Sequence, residues 1–205
     1  ASSSLFVTLA SGYRAHPLDV ATQEGIFVLR DQQPFGGAAK SVATLTDFSN
    51  VAGGNLPDYS KRGWYYMLNQ SEGEKALSSP TVFSYEVLVT TYSPNVQSDV
   101  ERDPCSVNYG QSYLHRVDLR TGQGTRYGLD QPGLPPGVTV LLGEDGKTAI
   151  IVGTEPITEA KGGEGFGAGG AAPRDLRSGR WMQLTPDDAG VIKLPADEDD
   201  DEQGD

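Results

Sequence analysis

Apolar and polar residues alternate through short runs separated by turn-forming residues. Leu5-Phe6-Val7-Thr8-Leu9-Ala10 is an apolar run of strand length that closes on Ser11-Gly12. Gly25-Ile26-Phe27-Val28-Leu29-Arg30-Asp31 is a second, broken by Pro34-Phe35-Gly36-Gly37. The densest succession lies between Arg62 and Gly122, and the rest of the chain is organised around it. It holds Arg62-Gly63-Trp64-Tyr65-Tyr66, Leu77-Ser78-Ser79-Pro80-Thr81-Val82-Phe83, Val87-Leu88-Val89-Thr90-Thr91-Tyr92-Ser93-Pro94, Asp103-Pro104-Cys105 and Ser112-Tyr113-Leu114-His115-Arg116-Val117-Asp118-Leu119-Arg120-Thr121-Gly122. Val, Thr, Tyr and Phe fill the runs while Pro, Gly, Ser and Asp make the breaks, which predicts short strands joined by turns. The last run sets Tyr113, His115, Val117 and Leu119 on one side and Leu114, Arg116 and Asp118 on the other. It then reaches Thr-Gly, where Gly supplies a positive φ, a turn used between the strands of β-propeller blades.

After that stretch, Pro132-Gly133-Leu134-Pro135-Pro136-Gly137 is a stiff turn region. Val138–Leu142 and Thr148–Gly153 flank Asp145-Gly146 and read as a hairpin. Residues 36–60 form a polar, Gly-rich connection with a helical turn expected near Ser41–Phe48. The Gly-rich Lys161–Ala172 is expected to be a mobile loop. Arg180-Trp181-Met182-Gln183-Leu184 predicts a final short strand before Val191-Ile192-Lys193-Leu194. No window of ten or more residues keeps a three-and-four apolar spacing, and the nearest, Asp187–Leu194, is too short and contains Gly190. The expected class is all-β, with one domain over residues 1–195 and a disordered acidic tail over 196–205.

Composition agrees with many turns: the 205 residues include 26 Gly and 13 Pro. The length suffices for one substantial core or two small ones. No run approaches the ~18 apolar residues needed to span a bilayer. The start, Ala1-Ser2-Ser3-Ser4, has neither an initiator Met nor the parts of a signal peptide, as a processed or cut product would look. Net charge is −12, of which the last nine residues contribute seven acids. The remainder has no Lys/Arg cluster, which argues against a nucleic-acid partner. The single Cys105 forbids an internal disulfide and is either a buried thiol or bonded outside this chain.

Several stretches together resemble the C-terminal domain of the PilY/PilC family, large exported proteins that act in type IV pilus assembly and as tip-associated adhesins. The resembling words are Ser11-Gly12-Tyr13-Arg14-Ala15-His16-Pro17-Leu18, Phe27-Val28-Leu29-Arg30-Asp31, Gly63-Trp64-Tyr65, Leu77-Ser78-Ser79-Pro80-Thr81-Val82, Thr90-Thr91-Tyr92-Ser93-Pro94, Asp103-Pro104-Cys105-Ser106 and Ser112–Gly122. Gly179-Arg180-Trp181-Met182-Gln183-Leu184 is similar to the Trp-Arg-Gln-Leu ending of that family. The resemblance runs from about residue 10 to 184, with its words in the expected order. It implies an exported, propeller-like domain with quinoprotein-type blades, located extracellularly, at the bacterial cell surface or pilus tip. At about 40–50 residues per blade, this length makes roughly four blades, fewer than the family's ring. The expectation is therefore a partial β-propeller with exposed flanks, completed by another polypeptide: the upstream part of the same protein or a neighbouring subunit. Pilins or minor pilins are the further partners the resemblance implies. It also implies calcium, but the family's loop of alternating Asp/Asn ligands is not found here. Gly143-Glu144-Asp145-Gly146-Lys147-Thr148 offers too few oxygen ligands.

Candidate residues carry both a packing and a functional reading. His16 and His115 are the only histidines, and neither has metal-ligand spacing with Cys105 or with each other. Both read more readily as structural. No Gly-x-Ser-x-Gly elbow or phosphate-cradling loop is present, so no catalytic, cofactor or metal site is expected. Arg14 and Arg30, flanked by apolar residues, read as forks that bind carboxylate or backbone carbonyls, with contact to a pilin or host ligand as the alternative. Trp64, Tyr65, Tyr66 and Trp181 read as core, with an aromatic carbohydrate platform as the alternative. The candidate interface or structural residues are thus Arg14, His16, Arg30, Trp64, Cys105 and Trp181.

The expected function is a non-enzymatic scaffold of pilus biogenesis and surface adhesion that presents loops over residues 36–60, 93–112 and 154–176. The alternatives are a quinoprotein-type dehydrogenase fragment, because Val-Asp-Leu-x-Thr-Gly is shared with those propellers, and a structural subunit of an extracellular filament.

Overall fold

The computed structural model describes residues 4–32, 41, 43–94, 110–131, 133–142 and 148–157 in full, and the backbone of 164–166. The strands are β1 (Leu5–Ala10), β2 (Gly25–Asp31), β3 (Ser49–Asn50), β4 (Gly63–Met67), β5 (Lys75–Ala76), β6 (Thr81–Phe83), β7 (Glu86–Ser93), β8 (Gln111–Asp118), β9 (Gly124–Gly128), β10 (Val138–Leu142), β11 (Thr148–Val152), β12 (Glu155–Ile157) and β13 (Glu164–Phe166). Helical structure among the described residues is limited to two 3₁₀ turns, Leu45–Asp47 and Ala52–Gly54.

These strands make three sheets. The first has the order β1-β2-β4-β3, the central one β13-β9-β8-β7-β5 with β6 also on β7, and the third β10-β11-β12. None closes into a barrel. The central sheet lies between the other two, and the two-residue period of its strands explains how. Val87, Val89 and Val117 pack with Ile26, Val28, Trp64 and Tyr66 of the first sheet. Leu88 and Leu114 point the other way and pack with Ile150 and Val152 of the third. Consecutive residues Val87, Leu88 and Val89 are therefore all fully buried, which is why β7 reads as a continuous apolar run rather than an alternation. Each such side chain contributes about 1.5–3 kcal/mol by leaving water. The three layers stacked face to face are the arrangement of adjacent propeller blades, and the all-β, propeller-like expectation is met.

The words noted in the sequence have physical reasons. At the end of β8, the Asp118 carboxylate accepts the backbone N–H groups of Arg120 and Thr121, both at 2.9 Å. Gly122 turns the chain at φ +67° while its N–H bonds the Asp118 carbonyl at 2.9 Å. Leu119, between them, stays buried. At the end of β1, the carbonyl of Ser11 accepts the N–H of Ala76, and its own N–H bonds the Gly25 carbonyl. Gly12 lies so close to β5 that a Cβ there would stand 1.8 Å from the Ala76 carbonyl oxygen.

Some expectations are corrected. Residues 154–176 do not form one loop: β12 pairs with β11, and β13, inside the Gly-rich Lys161–Ala172, pairs with β9. Glycine-rich composition does not stop backbone groups from completing an available sheet edge, because strand preference is set mainly by context. Strand β9 follows Gly122 where none was expected, as a five-residue segment between two glycines gives little pattern. The 36–60 connection contains the expected helical turn, but Ser49–Asn50 also pairs parallel with β4. The β6–β7 turn uses Ser84 and Tyr85 at φ +48° and +63°, a left-handed pair that hairpins usually reserve for Asn and Gly. The Asp145-Gly146 turn, the strand expected at Arg180–Leu184, the segment Val191–Leu194 and the tail 196–205 lie outside the described residues.

Candidate functional site

Two features stand out: a buried ion cluster between the first and central sheets, and an open apolar face with a cleft at its end. In the cluster, Glu74 precedes β5 and its carboxylate accepts three side chains. His115 Nε2 on β8 lies 2.7 Å from Oε1, the Thr91 hydroxyl on β7 donates to Oε1 at 2.6 Å, and Arg126 Nη2 on β9 donates to Oε2 at 2.9 Å. Arg126 also donates to the Ser71 hydroxyl at 2.6 Å and stacks its guanidinium 3.3 Å from the centre of the Tyr113 ring. Glu74 and His115 are sealed from solvent. Burial alone pushes the Glu74 carboxyl up, but the hydrogen bond and charge of His115, the Arg126 charge and the Thr91 hydroxyl together hold it below its ordinary value. The Tyr66 phenol, tilted against the His115 ring at 6.3 Å, is pushed up to about 12 by burial and then by the Glu74 charge.

Lys75 beside it is fully buried, and its ammonium donates to the backbone carbonyls of Asp19 and His16. The cluster therefore ties β5 to β7, β8 and β9, while Lys75 anchors the loop after β1. A buried carboxylate–imidazole–guanidinium set can hold strands in register. None of Glu74, Lys75 and Arg126 was singled out in the sequence. Glu72 stays exposed, whereas Glu74 and Lys75 are buried by the strands that meet around them.

The second feature follows from the pairing of β1, β2 and β4. Residues opposite one another share a face, so Leu5, Val7, Leu9, Phe27, Leu29, Tyr65 and Met67 lie on the side of the first sheet turned away from the central one. Leu5, Val7 and Leu9 are 52%, 45% and 51% exposed. The third sheet repeats this on its own outer side with Thr139, Leu141 and Ile151, Leu141 being half exposed. Among the described residues, the stack thus ends on an apolar face at each side. At one end of the first face lies a cleft of about 600 Å³, lined by Val7, Leu29 and Phe48 together with Arg30, Asp31, Lys61 and Arg62. Lys61 Nζ donates to the Phe48 carbonyl at 3.2 Å and Arg62 Nη1 to the Ser41 carbonyl at 3.0 Å. Asp47, whose carboxylate is held below its ordinary value by the Thr44 N–H and then by the charges of Arg62 and Lys61, stands near them.

Among the candidate residues, Arg30 donates to the carbonyls of Tyr59 and Lys61, the carbonyl-binding use of its fork. Trp64 is buried and its indole N–H bonds the Leu119 carbonyl at 2.9 Å. Arg14 sits in an exposed turn rather than within a strand. His16, also exposed, packs its ring 4.7 Å from that of Tyr13. Cys105 and Trp181 lie outside the described residues. The structure brings Trp64 to the same sheet interface as His115, but it does not gather the four described candidates, Arg14, His16, Arg30 and Trp64, into one site.

No family model and no curated protein matches the sequence. Among solved structures, the chain is similar to the C-terminal domain of Pseudomonas aeruginosa PilY1, with a TM-score of 0.55 and 17% identity over 75% of this chain. The matched region spans 41% of that domain's chain. The likeness is one of fold. No helix among the described residues is long and apolar enough to cross a membrane.

Proposed function

We propose that this chain is a non-enzymatic, exported scaffold of type IV pilus assembly and surface attachment, working as part of a larger propeller that another polypeptide completes. One observation carries the reading: three stacked blade-like sheets end on an apolar face at both sides. Exposed apolar sheet faces of this kind mark interaction surfaces. The fold likeness to the PilY1 domain and the resembling words support the pilus context. In this role the buried cluster keeps the blades rigid, no redox cofactor takes part, and the polypeptide that closes the ring shields both faces. Pilins or minor pilins are met through the loops at the sheet ends.

The reading is tested by deleting the coding region in frame in the bacterium that carries it, then counting surface pili by electron microscopy and measuring twitching motility. Loss of pili or motility that the restored gene reverses supports the role, and unchanged piliation overturns it. A second reading, a filament subunit, draws on the same two faces, since unlike faces at opposite ends permit open head-to-tail association. Negative-stain images of the purified chain showing regular filaments would favour it.

A further inference from the structure

We propose that the free edge of β1 pairs antiparallel with the β1 edge of a second copy of this chain, about a two-fold axis at Val7, giving a symmetric dimer. This contact uses a strand edge rather than either apolar face, and so lies outside the scaffold role. Among the described residues β1 ends its sheet, and the pairing pattern shows what its edge offers. The Ser11 N–H donates to the Gly25 carbonyl, in register with Leu9 opposite Phe27. Antiparallel residues alternate between bonding a neighbour and turning away from it. Leu5, Val7 and Leu9 therefore bond β2, while Phe6, Thr8 and Ala10 turn their N–H and carbonyl groups to the free side. The Arg30 N–H fits this alternation, since it donates to the Arg62 carbonyl on the other side of β2.

Sheet edges are ordinarily kept short or carry charge, proline or a bulge. β3 and β5 are two residues long, β12 holds Glu155 and Pro156, and β13 begins on Glu164. β1 runs for six residues without a charge or a proline, and its one-to-one register with β2 shows no bulge. A second copy fits this edge for two reasons. Each copy carries a net charge of −12, so two copies approach most readily where neither strand is charged. The strand also matches itself. A two-fold axis normal to the sheet keeps both outer faces on one side, so residues of like facing meet. About Val7, Leu5 lies opposite Leu9 of the second copy, Val7 opposite Val7, and Phe6 opposite Thr8. Phe6 and Thr8 then exchange backbone hydrogen bonds. The half-exposed Leu5, Val7 and Leu9 fall at the non-bonded pairs, where cross-strand side chains come closest. The other uncharged terminal strand, β10, lacks this match: centred on Val140, it would set Thr139 against Leu141. One strand pair buries less than the ~1,200 Å² of a standard interface, so the dimer dissociates on dilution. It leaves the outer faces open and joins two of them across the axis.

The test uses the full chain with Cys105→Ser, so that one introduced cysteine at a time can be oxidised. Val7→Cys should cross-link to a dimer on a denaturing gel, because non-bonded antiparallel partners stand within disulfide reach. Leu5→Cys and Leu9→Cys should each stay monomeric alone, their own copies being roughly 14 Å apart, yet cross-link when mixed. Sedimentation of the unaltered chain should show a concentration-dependent dimer. Val7→Lys sets like charges at the axis and should weaken that dimer about ten-fold or more, with an unchanged circular dichroism spectrum. A monomer at every concentration overturns the proposal, as it would if another segment of the chain held the edge. Equal cross-linking of all three cysteine variants would mean random collision, and cross-linking of Val7→Cys only with Leu9→Cys would place the axis elsewhere. Either result overturns it. A dimer untouched by Val7→Lys but dissociated by Leu141→Lys would belong to β10 and do the same. Piliation reports separately. If the chain is monomeric while its deletion still abolishes pili, only the dimer falls; if it dimerises while piliation is unchanged, only the pilus role falls.

Discussion

The indole N–H of Trp64 on β4 donates to the carbonyl of Leu119 at 2.9 Å, joining the first sheet to the turn that ends β8. Both partners are buried, so neither can exchange this bond for one with water. Replacing Trp64 by Phe keeps most of the ring volume and leaves the carbonyl without its donor. The expected loss is about 2 kcal/mol, measured as a lower midpoint in urea with an unchanged slope. A change below about 0.5 kcal/mol would mean that the bond adds nothing.

Glu74 gives the fold an acid limit. Its folded-state value lies below the ordinary 4.5, so the carboxylate form is the one the fold favours. Its contribution is present above 4.5 and is lost as pH falls through the depressed value. Thermal melts between pH 7 and pH 3 should show a drop in the wild type below about pH 4.5 that is shallower in Glu74→Gln. At neutral pH the variant should lose about 3 kcal/mol or more, because His115 and Arg126 are left buried without their carboxylate. A variant as stable as wild type at pH 7 would contradict the cluster's role.

Gly12 leaves no room for a side chain. A Cβ 1.8 Å from the Ala76 carbonyl oxygen meets backbone that cannot rotate aside. Gly12→Ala should separate the loop after β1 from β5 and cost about 2 kcal/mol. Hydrogen exchange should quicken at the Ala76 amide, which bonds the Ser11 carbonyl. Gly128→Ala, where nothing stands within 4 Å of the added carbon, is the control and should exchange as wild type does.

The outer face of the first sheet should tolerate polar substitution. Leu5→Thr, Val7→Thr and Leu9→Thr, each at an exposed strand position, are expected to change stability by about 0.5 kcal/mol or less apiece. The triple variant should be more soluble and less prone to self-association by light scattering. A collapse of the melting transition would show instead that this face is core.

Much of the strand pattern was legible beforehand, because apolar period and turn formers are local properties. Leu5–Ala10 and Gly25–Asp31 have the bounds the sequence predicts, and the alternation of Tyr113, His115 and Val117 against Leu114 and Arg116 places their side chains correctly. Strand β13 was not legible, since a Gly-rich segment becomes a strand only when β9 offers it an edge. Of the features described as the candidate site, Arg30 and His115 could be singled out as residues, but the partners that give them meaning could not. Glu74 lies 41 residues from His115, and no local pattern links them.

The sequence by itself determined the class of fold, the short strands and their facing, the Asp118–Gly122 turn and the acidic charge, because these follow from neighbouring residues. Only the tertiary structure decided that β7 would be buried on both sides, that Glu74 and Lys75 would turn inward rather than out, and that two sheet faces would remain uncovered among the described residues. Those outcomes depend on which strands meet across the chain, and burial is a property of that meeting rather than of any residue in it.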